Sequence, residues 1–201
     1  MYIFKFVTCT VTDRAAFSAA QAGWGELCSL PGFLGQMGGW SRSSPDRAHL
    51  FASWRNQSDY DAFMRGPHDR LAAPQSGTYT ATEVRLFSAD APLQAGFAGA
   101  ALLRFASCQV HPGRQSHFVR AQSTIWTPGM KRAPGFLGAV FSHRDPADFL
   151  VLSAWRSEAD HARYQKSYFP ALRLESEAHL DLATITGDQI DVVPTWTLAA
   201  P

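Results

Sequence analysis

Short stretches of the chain alternate apolar and polar residues, and between them apolar residues recur at steps of three and four. Tyr2 to Val11 is rich in aromatic and β-branched residues and reads as a strand. Thr12 or Asp13 then caps a helix whose Phe17, Ala20, Trp24 and Leu27 share one face. Pro31-Gly32 ends that helix. Phe33 to Trp40 and Ala48 to Trp54, joined by the polar turn Ser41 to Asp46, read as a hairpin. Ser58 is positioned to cap a second helix that carries Tyr60, Phe63 and Met64 and is limited by Pro67. Thr78 to Phe87 alternates again, a fourth strand. The predicted order is β-α-β-β-α-β.

The same order comes round a second time. Pro31-Gly32-Phe33-Leu34-Gly35 recurs as Pro134-Gly135-Phe136-Leu137-Gly138, and Ser53-Trp54-Arg55 matches Ala154-Trp155-Arg156. Upstream, Phe6-Val7-Thr8-Cys9-Thr10-Val11 aligns with Phe105-Ala106-Ser107-Cys108-Gln109-Val110. The second copy's strands are expected over 101–110, 136–143, 149–155 and 179–186, and its helices over 115–127 and 158–169. This divides the chain into a first module at 1–90, a linker at 91–100 with Pro92, Gly96 and Gly99, and a second module at 101–201. Val192 to Leu198, with Trp196, is an additional strand or arm without a counterpart in the first copy. The β-α-β-β-α-β order is the ferredoxin-like plan, an α+β fold with both helices on one sheet face. The bare face of such a sheet needs a partner. Two tandem copies meet that need by pairing into one shared barrel, an intramolecular pseudo-dimer; further oligomerisation is left open.

Composition narrows the function classes. The chain has 201 residues, 46% hydrophobic and 17% charged, with a formal net charge of +1. This is enough apolar material for a packed core, and it carries no basic footprint for nucleic acid. No apolar run is long enough to span a membrane, so no membrane partner is expected. The opening residues read as a strand, not a signal peptide, and three cysteines are too few for a disulfide framework. A reducing cytoplasm is the compartment expected. No glycine-rich phosphate motif and no metal-ligand spacing among the seven histidines is present, so neither cofactor nor metal is expected.

The fragments Cys9-Thr10-Val11, Ala20-Gln21-x-x-Trp24, Gly32-Phe33-x-Gly35-Gln36-x-Gly38-Gly39-Trp40, Tyr60-x-x-Phe63-Met64 and His68-Asp69 resemble the YdbC-like family of uncharacterised bacterial proteins. The resemblance spans most of residues 1–88 and is weak in the second copy. It implies a dimeric α+β barrel of the kind found in antibiotic-biosynthesis monooxygenases and haem-degrading oxygenases. Fold likeness does not assign a reaction. A haem-degrading member of this fold is expected to show an Asn, a Trp and a His in its pocket. Here Phe63 stands near the Trp position, the first strand has no Asn and His68 falls early, which argues against haem degradation.

The candidate catalytic pair is His68-Asp69, a carboxylate beside an imidazole that it can orient and make more basic. Neighbours on a helix point about 100° apart, which sets Asp69 away from His68. Gln36, Trp40 and Trp54 are the candidate ligand-binding residues. Trp54, repeated as Trp155, also fits a packing role. Gly38-Gly39 suits either close ligand approach or a β-bulge. Cys9 and Cys108, at matched positions, read as buried small residues ahead of a redox pair. The second copy has Ala139, His143, Phe169 and Pro170 where the first has Gln36, Trp40, His68 and Asp69, so function is expected in the first copy, at a cavity bordered by Trp40 and His68. Two functions fit. One is a small-molecule cavity used by a cofactor-independent monooxygenase-like enzyme. The other is a non-catalytic ligand-binding or assembly module with a filled barrel.

Overall fold

The computed structural model describes residues 1–93 and 95–199. The first module runs β1 Tyr2–Val11, α1 Arg14–Ala22 continuing as 3-10 turns over Gly23–Ser29, β2 Phe33–Ser41, β3 Arg47–Trp54, α2 Gln57–Arg65, the short α3 His68–Ala72 and β4 Tyr79–Ala89. The second runs β5 Leu102–Val110, α4 Gln115–Ala121, a π-helical turn Gln122–Trp126, α5 Thr127–Lys131, β6 Phe136–His143 and β7 Asp148–Trp155. It continues with α6 Glu158–Ser167, α7 Phe169–Glu175, α8 Ala178–Asp181 and β8 Leu182–Val192; a two-residue β9, Leu198–Ala199, follows. The duplicated α+β order is therefore present, with one short helix added after α2 in the first copy and two, α7 and α8, after α6 in the second.

Local chemistry explains the boundaries. Asp13 caps α1, accepting from the Ala16 amide at 2.9 Å. Asn56, not Ser58, caps α2, accepting from the Asp59 amide at 2.9 Å, because Asn56 holds the extended backbone a cap needs while Ser58 is already inside the helix. Ser157 does the same for α6. Gly32 and Gly135 adopt φ of 78° and 81°, and the carboxylates of Asp59 and Asp160 fill the space a Cβ would take. Only glycine satisfies both demands, which accounts for the repeated Pro-Gly.

Each half contributes four antiparallel strands, ordered β2-β3-β1-β4 and β6-β7-β5-β8, and the halves join at two seams. At one, Gly39, Trp40 and Ser41 of β2 face Val192, Asp191 and Ile190 of β8; at the other, Ser88 and Ala89 of β4 face His143 and Ser142 of β6. The result is a closed eight-stranded barrel, which leaves no free edge between the halves. The role of Gly38-Gly39 is neither of those foreseen. A Cβ on Gly39 would collide with the Asp191 carbonyl across the seam, and one on Gly38 with the His49 carbonyl of β3, so the pair lets the β2 backbone approach both of its neighbours closely.

Alternate residues point inward and fill the barrel. Phe4, Phe6, Phe51, Phe87, Phe105 and Leu152 belong to one buried cluster. Phe6 stacks on Phe51 with ring centroids 4.7 Å apart and meets Phe105 of the other half at 4.9 Å. At about 1.5–3 kcal/mol for each large apolar side chain removed from water, this shared cluster is what ties the halves together. The stretch between the modules also enters it. Phe97 and Ala100 are buried there, and the Leu93 amide donates to Ser53 Oγ at 3.0 Å. Gln94, within that stretch, lies outside the described residues.

The C-terminal arm is the additional segment expected over 192–198, and the structure settles where it lies. It covers the first half and not the second: Gly35 and Gln36 of β2 pair with Ala199 and Leu198, and Trp196 is fully buried. The cause is topological. β8 ends paired with β2, so the residues after it emerge over the first module.

Candidate functional site

The face of the first sheet turned away from the barrel meets α1, the 3-10 turns, α2 and α3, and a cavity of about 360 Å³ remains between them. β1 supplies Lys5, Val7 and Cys9, β3 supplies Leu50, Ala52 and Trp54, and α2 and α3 supply Tyr60, Phe63 and His68. The middle of the barrel is filled by the phenylalanine cluster, and a second space of about 370 Å³ opens at one barrel mouth, beside Phe6, Thr8, His49, Phe105 and Asp188.

The expected residues separate. His68, Gln36 and Trp54 line this cavity together. Trp54 stacks on Phe63 at 4.8 Å. Gln36 is buried and its amide lies 3.5 Å from the Trp196 carbonyl of the arm. His68 and Asp69 do touch, with Nδ1 to Oδ1 at 2.8 Å, although the helical offset argued otherwise. They sit at the first turn of a five-residue helix, where an exposed Asp side chain is free to fold back. Asp69 itself is not in the wall. Trp40 is brought elsewhere: it packs against Phe17 and Trp196, at 5.9 and 5.2 Å, beneath the Arg14 guanidinium at 3.9 Å. The cavity is thus bordered by His68 but not by Trp40.

Residue-by-residue reading missed the most unusual member. Lys5 Nζ lies 5.7 Å from the Tyr60 ring centroid and 5.8 Å from that of Phe63. Burial lowers its ammonium to about 8, and the nearby Cys9 works weakly in the other direction. Among the described residues no carboxylate lines the cavity with it. The signal was there: Lys5 is the single charge among apolar and aromatic residues in Tyr2 to Val11, and the repeat places Arg104 at the same point. Gln75 donates to Gln21 at 2.8 Å inside the wall, and the buried Trp24 indole N–H has no hydrogen-bond partner among the described residues. Burial raises the Cys9 thiol above its ordinary value and pushes Cys108 up to about 12. The two cysteines lie in separate clusters, so they form no redox pair.

Two further features were not anticipated. At one barrel mouth the buried His49 has Nδ1 3.1 Å from Thr8 Oγ1 and Nε2 3.7 Å from Asp188, whose carboxylate accepts from Ser41 and Ser43. The second half also keeps a cavity, of about 180 Å³, beside Phe169, with Arg104, His161, Tyr164 and Gln165 in its wall. The loss of Gln36 and His68 counterparts did not leave that half apolar. Among the described residues no group of three or more His, Cys, Asp and Glu side chains gathers to hold a metal ion, and no helix is long and apolar enough to cross a membrane.

Comparison with known proteins gives a context for this geometry. The family model for a domain of unknown function, DUF4937, matches residues 3–87, and that for antibiotic biosynthesis monooxygenases matches residues 102–179. The uncharacterised protein YdbC of Bacillus subtilis is 31% identical over 96 residues, covering 45% of this chain and 81% of that protein. Among solved structures, a monooxygenase-like protein of Lactobacillus acidophilus superposes with a TM-score of 0.77 at 14% identity, over 98% of this chain and 96% of the other. One from Fusobacterium nucleatum gives 0.75 at 9% identity, over 95% and 92%. An anthrone oxidase-like protein gives 0.66 at 15% identity, over 96% and 91%. At these identities the structures speak for the fold alone. The two halves are distinct versions of one ferredoxin-like module, and the chain belongs to the family of YdbC, built on a monooxygenase-like dimeric α+β barrel.

Proposed function

We propose that the first-half cavity binds a small aromatic or enolisable organic molecule and oxygenates it with O₂ without a resident cofactor. The observation that supports this is Lys5: an ammonium enclosed by Tyr60 and Phe63, with no carboxylate in the same cavity. An uncompensated buried cation is costly, and an enolate or phenolate oxygen compensates it. His68, held by Asp69 through Nδ1, presents its other ring nitrogen as the base. The base removes a C–H proton α to the carbonyl, and Lys5 stabilises the resulting enolate. The carbanion donates one electron to O₂, the radical pair combines to a hydroperoxide, and loss of water leaves a ketone. The balance is CH₂ plus O₂ to C=O plus H₂O. Gln36 and Trp54 set the ligand's position and its flat contact surface.

Oxygen uptake with an anthrone as substrate tests this reading. Wild type is expected to consume one O₂ per ketone formed without releasing hydrogen peroxide. Rate should fall as pH rises through about 8, where the Lys5 ammonium is lost. Lys5→Arg should move that alkaline limb upward, and Lys5→Met or His68→Ala should lower the rate at least 100-fold, in the range of a lost charge stabiliser or base. Anthrone binding without oxygen uptake would favour the binding-module reading, and uptake indifferent to Lys5→Met would overturn the assignment.

A further inference from the structure

The repeat places a second cation over a second cavity. Lys5 and Arg104 are equivalent, as are Tyr60 and His161, Phe63 and Tyr164, and His68 and Phe169. We infer that the second half is a separate binding site, in which Arg104 holds the carboxylate of a small aromatic acid without reacting with it. This does not depend on the oxygenation proposed for the first half.

Three observations carry the inference. First, the Arg104 guanidinium makes no ion pair and no hydrogen bond among the described residues; the Ser153 hydroxyl donates to the Arg104 backbone carbonyl and not to its side chain. Asp188 is the carboxylate that acts on it, and it is already engaged by Ser41 and Ser43; Glu158, which shares an open groove with Arg104, is paired with Arg42. A largely buried guanidinium left in this state is a site awaiting an anion, and its planar fork matches a carboxylate in two parallel bonds. Second, the rest of the wall is aromatic. Trp126 and Phe169 lie 5.4 Å apart at the cavity's edge, and Phe118 closes another side. A ring with one carboxylate fits that arrangement and a volume half that of the first cavity. Third, the groups that would make the site reactive are missing. Arginine does not give up its proton under ordinary conditions. Phe169 replaces the His68 imidazole, and His161 is kept neutral by burial and by the cations Arg104 and Arg42. The Tyr164 phenol is held protonated by burial. The site binds and does not turn over.

Titration calorimetry of the full chain with salicylate and with 1-naphthoate tests the inference. Wild type is expected to bind one of these acids in a manner that Arg104→Met weakens at least tenfold and Arg104→Lys weakens less, because the charge stays while the fork is lost. Tyr164→Phe provides a second variant that keeps the core shape. Lys5→Met should leave this binding unchanged, and Arg104→Met should leave oxygen uptake in the first half unchanged. Absence of binding of either acid up to 10 mM would overturn the inference, as would binding abolished by Lys5→Met and untouched by Arg104→Met. Failure of oxygen uptake alone would bear on the first-half proposal and leave this one standing.

Discussion

Lys5 illustrates how a buried charge works against the fold that holds it. Its pKa in the folded chain is about 8, against 10.5 when unfolded. Between those values the unfolded chain binds more protons, so wild-type stability rises as pH climbs from about 8 to about 10.5 and the full cost is present below 8. Lys5→Met at pH 7 is expected to raise stability by about 2 kcal/mol in urea denaturation. That gain should shrink toward pH 10. A variant that is less stable at pH 7 would show that the ammonium has a partner in the folded chain. The residue scale is also where sequence reading was least complete. His68 and Gln36 stand in the family-like fragments and Trp54 in the repeated Trp-Arg segment, and the three share a cavity. Lys5 escaped because a lone lysine in a strand is ordinarily a solvent-facing one, and only helices packed over that face make it otherwise. Trp40 misled because a tryptophan at a strand end looks the same whether a ligand or another tryptophan covers it.

At the scale of elements, the C-terminal arm is the piece with no counterpart in the repeat. It carries Trp196, which is fully buried with Phe17 and Trp40 at 5.6 and 5.2 Å and donates from Nε1 to Ser18 Oγ at 3.2 Å. The arm also brings the Trp196 carbonyl to Gln36 in the cavity wall. Trp196→Ala is expected to cost about 3–5 kcal/mol, the range for an emptied aromatic site. It should also alter ligand affinity in the first half and leave the second unaffected. Chemical denaturation and calorimetry on the same sample check both. Strand and helix positions were legible from period and caps, because those signals are local. The arm's destination was not, because nothing in 192–198 records which half lies beneath it.

For the molecule as a whole, acid is the condition that strikes both halves at once. His49 and His161 are almost fully buried, and burial is the main cause that lowers each to about 4. Asp188 opposes the shift at His49, where Arg47 and Arg85 add to it; at His161, Arg104 and Arg42 add to it. Between pH 4 and the unfolded value of 6.5 the unfolded chain binds the extra protons, so stability falls as pH drops through that window. Each histidine should contribute a loss of about 2–3 kcal/mol by pH 4.5. The double variant H49Q/H161Q should flatten the urea midpoint against pH over 4–6.5, and an unchanged slope would show that other groups dominate.

The sequence by itself determined the module, its duplication and the closure of two sheets on each other. Alternation fixes which strand face is apolar, Pro-Gly with a positive φ fixes the turn, and a half-covered sheet has only its repeat to pair with. Tertiary structure alone decided where the empty space lies. Phe4, Phe6, Phe51 and Phe105 fill the middle of the barrel, so open space is left beneath the helices and at one barrel mouth. It also decided that two cations, 99 positions apart, each line such a space, with no carboxylate among the described residues of its wall. Charge and side-chain volume are written in the sequence. Whether a charge ends up paired, and whether a volume ends up filled, depends on neighbours that only the folded chain brings within reach.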